Sequence, residues 1–403
     1  MKPNVINAAD AMADRLSSFI DAVRAGQPLR LTGGGSKPGL GHTVTGTDLS
    51  LSGLSRVISY EPAELILVAE PGVRMVELRA LLSAKGQALA FEPPDLGPLY
   101  GCPAGMDTLG GVVATGLSGP GRVKAGAVRD HVLGMTAIAG DGRVFRSGGK
   151  VVKNVTGFDL PKLLTGAHGT LGLMTEIVVK VLPAAPVSKT LVLAGMEDAD
   201  ATRAMADALG SPAEVGAAAF TPSYLPLDGL LPDRTPCVLL RLDGVSVSVA
   251  ERLGALERLL EGRAAMAVLE GDESAVLWAC LRDAVPLAER PDLDIWRLSV
   301  PPMAGMGVLS AIRAAIPRAL GWLDWGGGLI WAGLPRGMAD AGAGVVRGAL
   351  GRDGHATLMR APDAVKAVVP VFQPLPGPLA ALTARVKAQF DPAGILNPGL
   401  MGV

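Results

Sequence analysis

Met12, Leu16, Phe19, Ile20 and Val23 recur at three- and four-residue spacing, which predicts an amphipathic helix over 8–25 leading into a short apolar strand at 28–32. Short β-type runs at 49–51, 57–60 and 65–69 follow, divided by turn residues, and then a helix at 74–84. This is the pattern of a compact α+β unit. A second unit is predicted from residue 101: a helix at 108–115, a strand at 132–139, a Gly140-Asp141-Gly142 turn into a strand at 144–146, a helix at 160–164 and a strand at 175–182. Pro183 and Pro186 mark its end.

Beyond them strand-like runs at 191–193, 237–242, 295–300, 328–332 and 356–360 alternate with helical stretches at 249–260, 274–280 and 304–316. That alternation predicts an antiparallel sheet with helices on one face. The tail gives a helix bearing Leu382, Val386 and Phe390, then FDPAGILNPGLM, in which Asp391 and Pro392 read as the N-cap and first residue of a short helical turn. The expected organisation is a domain over 1–185 in two parts (about 1–98 and 99–185), an α+β cap over 186–362, and a segment over 363–403 that returns to the first domain.

Charge narrows the function classes. Lys+Arg 37 against Asp+Glu 38 leaves a net charge of -1, without the basic surplus that holds nucleic acid. With 49% hydrophobic and 19% charged residues the chain is too apolar for disorder, yet no stretch reaches the ~18 uninterrupted apolar residues of a membrane span. The first twenty residues carry Asp10 and Asp14 where an export signal needs an apolar core. A cytoplasmic protein is expected. Cys102, Cys237 and Cys280 are too scattered for a disulfide framework, a CxxC pair or an iron–sulfur ligand run. His42, His131, His168 and His355 include no i, i+4 pair, so no zinc site is expected.

Glycines crowd residues 33–41, 101–121 and 140–172. Gly33, Gly34 and Gly35 leave the backbone bare after an apolar strand, so successive N–H groups can converge on an anion. A plain turn would use the same letters. A P-loop fails because Lys37 precedes Pro38 and Lys150 precedes Val151, not Ser or Thr. A Rossmann loop fails because Pro38 and Gly39 interrupt the helix it requires. In the second crowd Asp107 or Thr108 caps a helix whose interior holds Gly110 and Gly111, at roughly 1 kcal/mol each relative to Ala, so something is expected to approach that helix closely. Gly116 and the Ser118-Gly119 pair add a turn whose hydroxyl and amides could meet a second portion of the same ligand. Gly157, Gly166, Gly169 and Gly172 repeat the logic. Three such loops imply a large, extended, polyanionic ligand.

In order along the chain, TGGGSKPG, EPGV, TLGGVVATGLSG, VRDHVLGM, NVTGFDLPKLL, HGTLGLMTEI and FDPAGILNPG resemble the FAD-binding fold of the vanillyl-alcohol-oxidase (PCMH) type, over about 28–183 and 388–399. In finer detail GGVVATGLSGPGR, GGKVVKNVTGFDL and VLP look like the smaller FAD-binding subunit, the E subunit, of bacterial glycolate oxidase. The resemblance implies an α+β chain: a two-part PCMH-type FAD-binding domain followed by an antiparallel-sheet-plus-helices cap. It implies that Thr32, Gly33, Gly34, Gly35, Ser36, Lys37, Pro38 and Gly39 hold the pyrophosphate and that Pro71 and Gly72 line the pocket. Thr108, Leu109, Gly110, Gly111, Ala114, Thr115, Gly116, Ser118 and Gly119 would lie along the ribityl and diphosphate. Asn154, Thr156, Gly157 and Phe158, with Gly172, Leu173 and Ile177, would pack about the adenosine side and the isoalloxazine. Asp159 reads as a helix cap, and His131 and His168 as structural histidines.

The departures are informative as well. Relatives that anchor flavin covalently place a His in the glycine loop where this chain has Ser36, so FAD is expected to be non-covalent. Stand-alone 2-hydroxy-acid dehydrogenases of this type carry a metal-binding His pair in the cap and an acidic residue followed by His near the C-terminus, and neither is found here. The catalytic residues are therefore left unassigned; Arg297, Arg360 and Arg385 could hold a carboxylate but read as surface charges. The resemblance implies partners, namely a larger FAD-containing subunit and an iron–sulfur subunit, with peripheral membrane contact through them, and a small 2-hydroxy acid as substrate. Three readings stay open: a subunit of a glycolate oxidase, a stand-alone FAD-linked 2-hydroxy-acid dehydrogenase, and a non-catalytic scaffold.

Overall fold

The computed structural model describes residues 8–149, 157–227 and 229–402. The Ala8–Arg24 helix runs into the strand Leu29–Thr32, which pairs in parallel with Thr47–Ser50. On its other side the same strand is held by the C-terminal segment: Leu29 N–H donates to the Ile395 carbonyl and Leu31 N–H to Asn397 Oδ1, at 2.8 and 2.7 Å. A second sheet has, among the described residues, five antiparallel strands in the order Val57–Glu61, Ile66–Ala69, Leu173–Lys180, Val132–Ile138 and Val144–Gly148. The Met75–Ser83 and Leu109–Thr115 helices close its core, where Leu67, Leu78, Phe91, Val113 and Ile177 are buried. Element by element these two small sheets follow the hydrophobic periodicity.

The cap differs from expectation in two respects. Its sheet has, among the described residues, eight antiparallel strands in the order Ala265–Glu270, Val187–Ala194, Cys237–Gly244, Ala217–Thr221, Leu320–Asp324, Leu329–Pro335, Leu293–Ser299 and His355–Arg360. Ala217–Thr221, Ala265–Glu270 and Leu320–Asp324 go undetected in the sequence. The first opens on three alanines before Phe220 and Thr221 and is wholly buried, so it shows no alternation and little β propensity until its end. Nor do helices cover only one face. Asp198–Leu209, Ser246–Leu259, Gly305–Ala315 and Ala343–Ala349 pack on one side, around Leu191, Leu240, Ile312 and Val346. Because strand side chains alternate, Val192, Leu239, Trp322 and Trp331 face the other way. There they meet the Gly271–Arg282 helix and also Leu40, Leu96, Leu99 and Leu117 of the N-terminal half.

Polar groups fix the alignment of that contact. Arg241, whose side chain is 9% exposed, reaches from the cap to Glu92 at 2.6 Å and to Asp243 at 3.0 Å, and its guanidinium lies over Trp278. Glu92 in turn accepts from Gly121 N–H at 2.7 Å. Trp325 Nε1 donates to the Gly119 carbonyl at 2.9 Å, and Arg360 donates to Leu99 O at 2.8 Å. Arg360 is thus a half-buried brace between the two halves and not a surface charge, whereas Arg385 is exposed as read. Asp391 also departs from expectation: it ends the Gly377–Phe390 helix, and its carboxylate accepts from the Ile395 and Leu396 N–H groups and from Lys387, organising a turn and not a new helix.

Arg241→Met should lower stability by about 3 kcal/mol, because two carboxylates lose their shared buried counter-charge. Urea unfolding measures it, and a loss under about 1 kcal/mol would show the bridge to be incidental.

Candidate cofactor cleft and adjoining cavity

The glycine loop stands at the mouth of a cleft of about 410 Å³. Thr32, Gly33, Gly34, Gly35, Ser36, Lys37 and Pro38 line it, together with Pro71, Thr108, Gly110, Gly111, Ala114, Thr115, Gly172 and Leu173. The main-chain N–H groups of Gly34, Gly35 and Ser36 find no acceptor among the described residues, so they remain available to an anion. Lys37 adds an ammonium to the same wall and donates to Ser36 Oγ at 3.0 Å. Burial lowers its pKa, against the pull of Asp107 and Asp95. Asp107 is fully buried with both carboxylate oxygens unpartnered, 3.9 Å from Arg79, and burial followed by the neighbouring Asp95 raises its pKa.

The glycines owe their presence to the chain's own backbone as much as to a ligand. A Cβ on Gly34 would sit 1.7 Å from the Met106 carbonyl oxygen, and one on Gly33 2.5 Å from Thr108 Oγ1. On Gly110 it would meet Pro71 at 2.5 Å, so what approaches that helix closely at this position is Pro71. Thr108 is the N-cap, accepting from Gly111 N–H.

Several expected contacts lie elsewhere. Leu109 and Ile177 are buried core, Gly72 is wedged against the Leu51, Ser52 and Leu54 carbonyls, Gly39 packs beside Tyr100, and Phe158 is 88% exposed. Gly157 does not line the cleft. Ser118 and Gly119 line neither cavity: Ser118 Oγ accepts from Val128 N–H at 3.0 Å, and Gly119 donates to Phe91 O while its own carbonyl takes the Trp325 bond. Asn154 and Thr156 fall outside the described residues. Asp159 caps its helix by accepting from Lys162 N–H. Other lining residues were not anticipated: Asn397, which joins Leu31 to the His168 carbonyl, and Lys366, which donates to Gly39 O at 3.2 Å. The tail motif was the available signal for Asn397; nothing in the sequence singles out Lys366.

A second cavity, about 320 Å³, adjoins the first and shares Leu40, Thr115 and His168 with it. Gly116 lines this one, with Arg122, Arg129, Arg297 and His355. Arg297 is therefore no surface charge. Its guanidinium stacks 4.9 Å from the Trp325 ring, and Arg122, from the other half of the molecule, stacks 4.2 Å from the same ring. Neither arginine has an ion pair or a side-chain hydrogen bond among the described residues. Burial and the nearby Arg122 push the Arg297 pKa down to about 10. Burial and the two arginines hold the His355 pKa below its usual value.

A glycine-loop cradle, a five-stranded sheet beside it and an antiparallel cap closing over both define a flavoprotein of the vanillyl-alcohol-oxidase type. The family described as "FAD binding domain" matches residues 11–148, and "FAD linked oxidases, C-terminal domain" matches 376–401. Glycolate oxidase subunit GlcE of Escherichia coli (strain K12) is 35% identical over 388 residues, 96% of each chain, and a D-lactate dehydrogenase of Anaerostipes hadrus is 33% identical over 178 residues, 43% of this chain and 36% of its own. An alkyldihydroxyacetonephosphate synthase structure superposes with a TM-score of 0.71 at 15% identity, over 96% of this chain and 74% of its own. The chain belongs to the family of FAD-linked oxidases that includes GlcE. The open amides of Gly34 to Ser36 and the Lys37 ammonium fit the diphosphate of FAD, which is bound non-covalently.

Acid precipitation should release all flavin into the supernatant, and yellow colour in the pellet would contradict this. Gly34→Ala should displace the loop and forfeit at least one charge-assisted bond of ~1.5–3 kcal/mol, weakening FAD roughly 10- to 100-fold. Flavin content after gel filtration reports it, and a fully loaded variant would refute the loop's role.

Proposed function

We propose that the chain is an FAD-linked dehydrogenase that oxidises the CH–OH group of a small 2-hydroxy acid, whose carboxylate is held between Arg122 and Arg297. The observation that carries this is the pair of unpaired guanidiniums, one from each half, converging on Trp325 at a cavity that adjoins the cofactor cleft. A guanidinium stacked on an indole keeps its N–H donors directed outward, where a planar carboxylate can take two of them. FAD, when bound, supplies the two-electron acceptor. The chain's own groups hold the acid, screen it from water between cap and cleft, and neutralise its charge. The cavity supplies the carboxylate-binding groups missing from a reading by sequence alone, and so supports turnover by this chain itself.

A second reading is favoured by the end-to-end likeness to GlcE: that the chain works as the FAD-binding subunit of a glycolate oxidase, beside a larger FAD-containing subunit and an iron–sulfur subunit. We further propose a cytoplasmic location, with membrane contact only through such partners; among the described residues no helix is long and apolar enough to cross a membrane.

The purified, flavin-loaded chain is to be mixed anaerobically with glycolate, lactate and 2-hydroxyglutarate while flavin bleaching is followed. Bleaching by the lone chain supports the first reading, and bleaching that needs co-expressed partners supports the second. Arg297→Met should raise KM about 10- to 100-fold with a smaller change in kcat, as loss of a charge-assisted bond requires. An unchanged KM would remove the cavity from the mechanism.

A further inference from the structure

We propose that His168 is the base of this reaction, accepting the hydroxyl proton of the bound acid on a ring nitrogen; the inference rests on the 2-hydroxy-acid reading above. Of the three residues common to both cavities, Leu40 is aliphatic and Thr115 has its hydroxyl committed to the Gly111 carbonyl at 2.8 Å. That leaves His168 as the titratable side chain at the junction. It also differs from His42, which uses both ring nitrogens, on Lys366 O and Val371 N–H, and from His131, which uses Nε2 on Ala125 O. His355 shares the unpartnered ring, among the described residues, but is exposed and lines the second cavity without reaching the first. Neither ring nitrogen of His168 has a hydrogen-bond partner among the described residues.

Its position is nevertheless tightly fixed. The His168 N–H donates to Ala114 O and its carbonyl accepts from Asn397 Nδ2, both at 2.8 Å, while the ring stands edge-on to Phe372 at 5.1 Å. The backbone is held at φ 52, a left-handed conformation that a histidine adopts at a cost, and such strain concentrates where a side chain must be aimed. The charged groups around the two cavities are Lys37, the Arg30–Asp48 pair and the Lys366–Asp363 pair on the cleft side, and Arg122, Arg129, Arg297 and His355 on the other. Burial first, and Lys37 second, hold the imidazole pKa down at about 4, so the ring is neutral and its lone pair available. A carboxylate seated on Arg122 and Arg297 and a diphosphate on Lys37 each cancel positive charge, which moves that pKa up toward the working range when substrate and cofactor are both present.

The step balances. The O–H bond breaks with its proton going to His168. The C2–H bond would break with its electron pair going to the two-electron acceptor that FAD supplies when bound, and the C2–O bond would become a carbonyl. The products are the 2-oxo acid, reduced FAD and an imidazolium. Departure of the anionic product lowers the His168 pKa again and returns the proton to solvent.

His168→Asn tests it, because asparagine tolerates φ > 0 and has no basic nitrogen. We expect flavin content and the affinity for oxalate, a non-oxidisable dicarboxylate, to stay within threefold, while anaerobic bleaching slows by roughly 10²- to 10⁴-fold. Bleaching within threefold of the unsubstituted rate overturns the assignment. Should the variant lose its flavin, a measurement that needs no change at His168 decides: calorimetry of oxalate binding to the flavin-loaded His355→Asn protein, in two buffers of different ionisation enthalpy near pH 6. Net proton uptake supports His168, and its absence overturns it. If the unsubstituted protein is bleached by no 2-hydroxy acid, the functional reading itself fails; if it is bleached and the variant keeps pace, only the base assignment does.

Discussion

The contact between the cap sheet and the N-terminal half is the constraint from which the rest of the molecule follows. One face of the eight-stranded sheet is covered by its own helices, but the other would expose Leu239, Trp322 and Trp331 were it not packed against Leu40, Leu96, Leu99 and Leu117. Burial at ~25 cal/mol per Å² of apolar surface drives that closure without directing it. Direction comes from the buried Arg241, whose two carboxylates must be met in one geometry, and from the Trp325 bond to Gly119. With the cap so held, Leu40, Thr115 and His168 become a common wall between two cavities, and Arg122 and Arg297, 175 positions apart in sequence, come to rest against the same indole and in the lining of the same cavity.

Much of the N-terminal fold is legible in the sequence because its elements are short, apolar and punctuated by glycine and proline. The helix at 74–84 is found as Met75–Ser83, and the strand at 132–139 as Val132–Ile138. The cleft is legible for the same reason: bare backbone after a strand is a local signal, and the glycine loop needs no distant partner to be noticed. What fails is whatever depends on distance. The strand Ala217–Thr221 opens on three alanines, carries little propensity before Phe220 and Thr221, and exists because Cys237–Gly244 pairs with it. Arg297 reads as a surface charge since nothing adjacent discloses that Trp325 and Trp331 will lie beneath it. Glycine also has two uses that a sequence does not separate: Gly110 lines the cleft, and its missing side chain makes room for Pro71 as well.

The same distinction separates the polar groups that hold the structure from those left over for chemistry. Glu92, Asp243, Asp95 and Asp283 are each tied to an arginine or a main-chain N–H, so their charge is satisfied within the protein. Asp324, buried and reached by the Trp325 N–H, has its pKa pushed up to about 7 by burial, because even that bond does not offset the loss of water. It forms no ion pair with Arg297, though the two feel each other's charge, and burial weakens it as a counter-charge by favouring its neutral form.

That lack of compensation distinguishes the second cavity from an ordinary interface. An arginine buried for stability finds a carboxylate, as Arg241 does; one resting on an indole gains a cation–π attraction of ~2 kcal/mol when desolvated and keeps its forked donors unspent. Two such residues facing one space on a chain of net charge -1 repel one another, and burial depresses both. Folding alone does not favour that arrangement, since an apolar pair would pack there without the penalty. An anion entering between them removes the repulsion, so the free energy that closure of the cap leaves unspent at Trp325 is recovered when ligand binds. On the proposed reading the cavity is organised for a small carboxylate before one arrives, with the neutral His168 ring at the boundary it would share with the cofactor.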